Sequence, residues 1–292
     1  MGMMRIAWFE RRGVTMSVRK LLLVGIFAAI VAAVPITSAA AEPAGGPNLP
    51  NSMAGIGDSI TRATDVCCWY GDHPDESWST GAGAWDGIAS HYERILALTP
   101  SIQGRNYNDA RAGAKMRDAA TQAQTAITQR ARYVTILMGG NDVCTGSPST
   151  MTTVNDFRAQ FSTTMNALAS SLPVGSHVFV SSIPNIYRLW QLFHDNPAAQ
   201  FVWSVAQICQ SMLAPTNTED VRQAVLARER AFNQALADVC GQYPLCRFDN
   251  NAVFNYPFSA NDVSRLDYFH PSLSGQAALA NVTWQHSWWP AG

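Results

Sequence analysis

Three short stretches of this sequence hold side chains that could act together. Gly57-Asp58-Ser59-Ile60-Thr61 offers a hydroxyl, Gly139-Gly140-Asn141-Asp142 a carboxamide, and Asp267-Tyr268-Phe269-His270-Pro271 an acid three residues before a histidine. A serine hydroxyl is a poor nucleophile at neutral pH. It needs a base within hydrogen-bond reach and a third group that holds this base in the right tautomer. Asp267 and His270 meet that need locally, because in a turn the carboxylate reaches one imidazole nitrogen while the other faces Ser59. Acyl transfer also builds negative charge on an oxygen, which needs donors already in place. The Ser59 amide, the Gly113 amide and the Asn141 side chain are the candidates.

Each stretch also has a plainer reading. Gly-Asp-Ser is common in turns and Ser59 could cap a helix. Gly-Gly-Asn suits a tight turn with positive φ, and His270-Pro271 could open a helix with Asp267 as a surface charge. Turns alone do not explain all three lying at the ends of apolar runs or in loops. Asp58 and Asp142 read as turn-stabilising acceptors. His73, His91, His177, His194 and His286 share no metal-ligand spacing, so neither metal nor cofactor is expected.

The elements that must carry these residues alternate in type. Met53 to Gly57, Ile102 to Tyr107, Tyr133 to Met138, His177 to Ile183 and Leu245 to Phe248 read as buried strands. Helices are expected over Ile88 to Leu98, Met116 to Thr128, Thr152 to Ser170, Val221 to Val239 and Ser272 to Trp284. The third is the clearest, with Val154, Phe157, Phe161, Met165 and Leu168 on one face. Alternation of this kind implies a parallel sheet with helices on both faces and a ligand site beyond the strands' carboxyl ends. Trp69, Tyr70, Trp78 and Trp85, with Tyr187, Trp190, Phe193, Phe201 and Trp203, read as loop-borne aromatics that could line an apolar acyl pocket.

The first 41 residues differ in kind. Arg11, Arg12, Arg19 and Lys20 precede an apolar run from Leu21 to Val34 and then Ser38-Ala39-Ala40-Ala41. That is the order of a secretory signal peptide, and the run is shorter than the roughly 20 residues a spanning helix needs. Cleavage near Ala41 leaves a flexible lead-in over residues 42–51. It also removes five basic side chains and one acid, taking the charge from −1 to −5, which speaks against a nucleic-acid partner. Six cysteines in an exported chain suggest disulfides. Cys240 and Cys246 can close a small loop, and Cys144 with Cys209 follows by elimination. Cys67 and Cys68 are then either bridged to each other or free.

The blocks together resemble the SGNH hydrolases, also called GDSL esterases and lipases. In that family the first block's serine is the nucleophile, the second block's glycine and the third block's asparagine complete the oxyanion hole, and the last block supplies Asp-x-x-His. The resemblance carries these roles to Ser59, Gly113, Asn141, Asp267 and His270, although Ile60 stands where the family has leucine. Ser77-Trp78-Ser79-Thr80-Gly81 is similar to a stretch in secreted actinobacterial members.

The family implies an α/β fold over residues 52–292, a three-layer α/β/α sandwich with a parallel, flavodoxin-like sheet of about five strands. It also implies an esterase or lipase that hydrolyses small-molecule ester or lipid substrates through an acyl-enzyme; with the signal peptide, the expectation is a secreted protein without a stable membrane anchor, and a monomer. A polysaccharide O-deacetylase would use the same residues beneath an open, polar groove. A secreted binding module that has lost its chemistry is a third reading, against which the intact Ser59, Asn141, Asp267 and His270 speak.

Overall fold

Five short apolar runs form one sheet in the computed structural model, which describes residues 48–290. The expected signal peptide and the lead-in as far as residue 47 lie outside the described residues. The strands are β1 (Met53–Gly57), β2 (Asn106–Asn108), β3 (Tyr133–Leu137), β4 (His177–Val180) and β5 (Cys246–Phe248). All pair in parallel in the order β2-β1-β3-β4-β5, with Gly57 opposite Leu137. This is the flavodoxin-like order. β1 and β3 are buried along their whole length, which is why they read as continuous apolar runs without alternation.

The helices are α1 (His91–Leu98), α2 (Ala119–Thr128), α3 (Gly140–Val143), α4 (Val154–Ser171) and α5 (Ile186–Phe193). They continue with α6 (Pro197–Val205), α7 (Gln210–Leu213), α8 (Glu219–Cys240), α9 (Ala252–Asn255) and α10 (Leu273–Gln285). Successive strand residues point to opposite faces, so the sheet feeds two cores. Ala54, Ile56, Val134, Ile136, Val178 and Val180 pack with α2, α4 and α8 through residues such as Ala123, Phe161 and Phe232. Met53, Tyr133, Leu137 and Phe179 pack with α1 and α10 through Ile95, Leu279 and Trp284. The result is the three-layer sandwich. No described helix is long and apolar enough to cross a membrane.

Two expectations need correction. β2 begins at Asn106, later than Ile102, because Pro100–Ile102 curls into a 3-10 turn whose buried Ile102 imitates the start of a strand. The aromatic segment after β4 is helical: Asn185 caps α5 by accepting from the Arg188 N–H, and Asn196 caps α6 with Pro197 behind it. Phe193, Trp203 and Trp78 therefore lie in the core and Trp85 is fully exposed, leaving Tyr70 and Phe201 beside the cleft described below.

Disulfides join Cys144 to Cys209 and Cys240 to Cys246, with sequence separations of 65 and 6. On loop-closure entropy alone these contribute roughly 4 and 2 kcal/mol. Removing the longer one as C144S/C209S is expected to lower Tm by about 10 °C. Scanning calorimetry reads this directly, and an unchanged Tm would refute the assignment of stability to this bridge.

Candidate active site

β1 ends at Gly57, and the chain turns at once. A side chain there would press on the Thr61 hydroxyl and stand 2.7 Å from the Leu137 carbonyl oxygen, so only glycine allows the turn so close to β3. Gln122 of α2 clasps this point, accepting from the Gly57 N–H at 2.8 Å and donating to its carbonyl at 3.0 Å. Asp58 accepts the Ile60 N–H at 3.0 Å, which fixes Ser59 at the carboxyl edge of the sheet. Gln276 of α10 accepts from the Trp78 N–H at 2.9 Å and donates to the Ile60 carbonyl at 2.8 Å. The Trp78 indole in turn donates to Thr61 at 3.3 Å. Ser77 to Gly81 is thus scaffolding beneath the serine turn.

β3 ends in the same manner. Gly139 has φ 127°, and a Cβ on it would run into Ile183 and Phe157. Asn141 follows and donates one amide N–H to the Ala114 carbonyl at 3.0 Å, which orients its carboxamide and leaves the second N–H for a ligand. The Arg111 N–H donates to the Gly57 carbonyl at 3.2 Å, so the loop bearing Gly113 is tied to both turns. Asp142 accepts from the Met116 N–H at 2.9 Å and the Thr152 hydroxyl at 2.7 Å. It acts as a turn acceptor, as Asp58 does.

The segment before α10 brings the acid and the histidine. Val263 and Pro271 form an antiparallel bridge, and the Ser264 N–H donates to the His270 carbonyl at 2.8 Å. Inside this lobe one Asp267 oxygen accepts the N–H groups of Phe269 and His270 at 2.9 and 3.1 Å. The other lies 2.5 Å from His270 Nδ1, while His270 Nε2 lies 2.7 Å from Ser59 Oγ. A neutral imidazole protonated at Nδ1 donates to the acid and accepts from the serine. It can then take the serine proton while the buried carboxylate balances the resulting charge.

Ser59 and Asn141 stand at the ends of the adjacent strands β1 and β3, where the sheet order changes direction and open α/β sheets place their ligands. Both line a cleft of about 670 Å³ together with Gly113, Asp65, Tyr70 and Phe201. A second, narrower and predominantly apolar cavity opens beside His270. Ile60, Ile183, Ile186, Leu189, Phe258 and Phe269 line it.

Asp65, distant in sequence and not anticipated, has a carboxylate oxygen 4.0 Å from His270 Nδ1. It is held there by accepting the Gly71 N–H at 2.6 Å. Burial pulls the His270 pKa down. The hydrogen bond and charge of Asp267, with Asp65 and Asp58 adding, overcome this and leave it above 6.5. For Asp267 burial acts upward, but the bond to His270, that charge and two backbone N–H groups bring its carboxyl below 3.8. Asp65, Asp267 and His270 are the described set that could hold a cation. Nδ1 already lies within hydrogen-bond reach of Asp267, however, and a cation there would compete with a proton on that nitrogen. The geometry fits proton handling better.

Burial pushes the Asp58 carboxyl up to about 6. A folded pKa raised above 3.8 gives stability that is present below that value and lost as pH rises through about 6. The ionised, buried Asp58 therefore costs on the order of 3 kcal/mol near pH 8. D58N keeps the acceptor for the Ile60 N–H and removes the charge. Its melting curves are expected to show a higher Tm than wild type near pH 8 and no gain near pH 4. Equal gains at both pH values would point to packing instead.

A profile of the GDSL-like lipase/acylhydrolase family matches residues 56–278. No curated protein matches the chain. Among solved structures it is similar to LAE5, an α/β hydrolase enzyme from the metagenome of Lake Arreo, Spain, with 18% identity and a TM-score of 0.52, covering 80% of this chain and 94% of that one. It is also similar to an extracellular lipase from Streptomyces rimosus, with 16% identity, a TM-score of 0.45 and coverage of 80% and 99%. The acetyl xylan esterase AlAXEase has 14% identity, a TM-score of 0.48 and coverage of 80% and 98%. The profile spans most of the sequence and includes all three blocks, from the serine turn to the histidine: the chain belongs to the GDSL-like lipase/acylhydrolase family.

Proposed function

We propose that this protein is a secreted serine esterase, related to secreted actinobacterial members, that hydrolyses carboxylic esters with an apolar acyl group through an acyl-enzyme. Ser59 is the nucleophile, His270 its general base and Asp267 the acid that orients His270. The Ser59 and Gly113 amides and the Asn141 carboxamide receive the oxyanion. The observation that carries this reading is His270 standing between Ser59 Oγ at 2.7 Å and Asp267 at 2.5 Å. The apolar cavity beside His270 favours an acyl ester over the acetylated glycan that a polar groove would suit. The two disulfides are those of a chain that meets an oxidising compartment. The enzyme acts as a monomer on small-molecule or lipid esters, without cofactor, metal, nucleic acid or membrane anchor.

A fluorophosphonate probe tests the reading, since it traps an activated serine covalently. One adduct on Ser59, blocked by prior acylation with a nitrophenyl ester, is expected. Labelling elsewhere, or none in protein that cleaves the ester, would exclude Ser59 as nucleophile. Rates across nitrophenyl esters of increasing acyl length, with acetylated xylan alongside, then separate the acyl and glycan readings.

A further inference from the structure

Four of the six cysteines are paired in disulfides; Cys67 and Cys68 are adjacent, and their sulfurs point at each other 2.6 Å apart. Cys67 is half-buried and Cys68 exposed. Their turn contains three non-glycine residues in the left-handed region, Ala63 at φ 50°, Asp65 at φ 55° and Cys68 at φ 63°. Such conformations persist only where the surroundings over-determine them.

The turn is anchored on both sides of the pair to the segment just before Asp267. Ser264 Oγ donates to the Asp65 carbonyl at 2.5 Å, and Tyr70 Oη donates to the Leu266 carbonyl at 3.0 Å. Both cysteines also line a surface groove with Ser264, Arg265 and Leu266. Whatever sets the shape of residues 66–69 therefore sets the spacing of two anchors. One anchor residue, Asp65, has its carboxylate 4.0 Å from His270.

We propose that Cys67 and Cys68 are a redox-modification site, closing into a vicinal disulfide that clamps this turn against the segment carrying Asp267 and His270. The oxidant is a low-molecular-weight disulfide. The exposed Cys68 thiolate attacks one of its sulfurs, releasing one thiol. The Cys67 sulfur then displaces the second, so two cysteine sulfurs are oxidised, the small disulfide is reduced to two thiols, and two protons pass from cysteine to the leaving thiolates. Burial, together with the neighbouring Cys68, pushes the Cys67 thiol up to about 11, which leaves Cys68 to begin the exchange. Adjacent residues hold their Cα atoms about 3.8 Å apart, below the usual disulfide range of about 4.4–6.8 Å. A bridge between neighbours therefore needs a compressed geometry, and compressed or exposed bridges are the labile, regulatory class. The link to activity rests on the proposed roles of His270 and Asp267; the bridge itself does not.

The test uses the purified full-length protein equilibrated with oxidised glutathione, then with mild dithiothreitol, followed by alkylation under denaturing conditions and peptide mapping. Expected are no alkylated cysteines in the oxidised sample and two, Cys67 and Cys68, after mild reduction. Free thiols at Cys67 and Cys68 after oxidation, or a glutathione left on either, would overturn the bridge. In parallel, kcat/KM for a nitrophenyl ester is expected to fall about threefold on mild reduction in wild type, a change in the range for remote coupling. The C67S/C68S variant should not respond. A bridge that forms and breaks while kcat/KM stays constant would overturn the clamp. Protein without esterase activity in either state would count against the proposed function, leaving the thiol count to decide the bridge.

Discussion

Replacing Ser59 with alanine is expected to abolish ester hydrolysis while leaving the fold intact. The change removes one oxygen atom from the edge of the sheet. The turn it sits in is held by other groups: the Gln122 clasp on Gly57, the Asp58 bond to the Ile60 N–H and the Gln276 bond to the Ile60 carbonyl. Loss of a triad nucleophile costs on the order of a millionfold in kcat. The measurement is kcat for S59A on the best nitrophenyl ester, with far-UV circular dichroism and Tm as controls for folding. A variant that kept more than about a hundredth of wild-type kcat would exclude Ser59 as nucleophile.

Asp267→Asn is the second large effect. In a comparable triad this isosteric change costs about ten-thousandfold in kcat by imposing the wrong tautomer. Here Asp267 uses one oxygen for two backbone N–H groups and the other for His270 Nδ1. An asparagine has one acceptor oxygen, so it either abandons the backbone pair or turns an N–H toward the ring. The neighbouring Asp65 carboxylate, 4.0 Å from the same nitrogen, can recover part of the orientation. The loss in D267N should therefore be smaller than that figure, and D65N/D267N should fall further than the two single losses predict.

The pH profile gives a separate check. His270 must be neutral to act as base, and its pKa is raised above 6.5, so kcat/KM should climb with pH through a limb above that value. Removing either negative charge disfavours the imidazolium and should move the limb to lower pH. If D267N left both kcat and the limb unchanged while His270→Ala was inactive, the site would be a dyad.

What the sequence conveys depends on how local the signal is. Ser59, Asn141, Asp267 and His270 were readable because each sits in a short block at a strand end or turn, and the 267–270 spacing states its own hydrogen bond. β1 and β3 were readable because burial on both faces writes an uninterrupted apolar run. α5 does carry a helical period, with Ile186, Leu189 and Phe193 at steps of three and four, which the reading of its aromatics and those of α6 as one loop-borne set passes over. The signals that mark the two helices, Asn185 before Ile186 and Asn196-Pro197, are small and were outweighed by the apparent loop. Asp65 had no signal at all. It reaches His270 only because the turn at residues 62–73 folds back, which is set by a bond within the turn, Arg62 to Asp72 at 2.9 Å, and by tertiary bonds such as Tyr70 to the Leu266 carbonyl at 3.0 Å.

The Gln276 clasp between α10 and the serine turn bears on when activity can first arise. The serine is made early and the histidine late, 211 residues apart. The glutamine that ties the two regions together comes later still. On the roles proposed above, a nascent chain therefore has a serine with no base, and it stays silent until α10 docks. A hydrolase built in this order cannot cleave an ester before the chain has been made at least as far as Gln276.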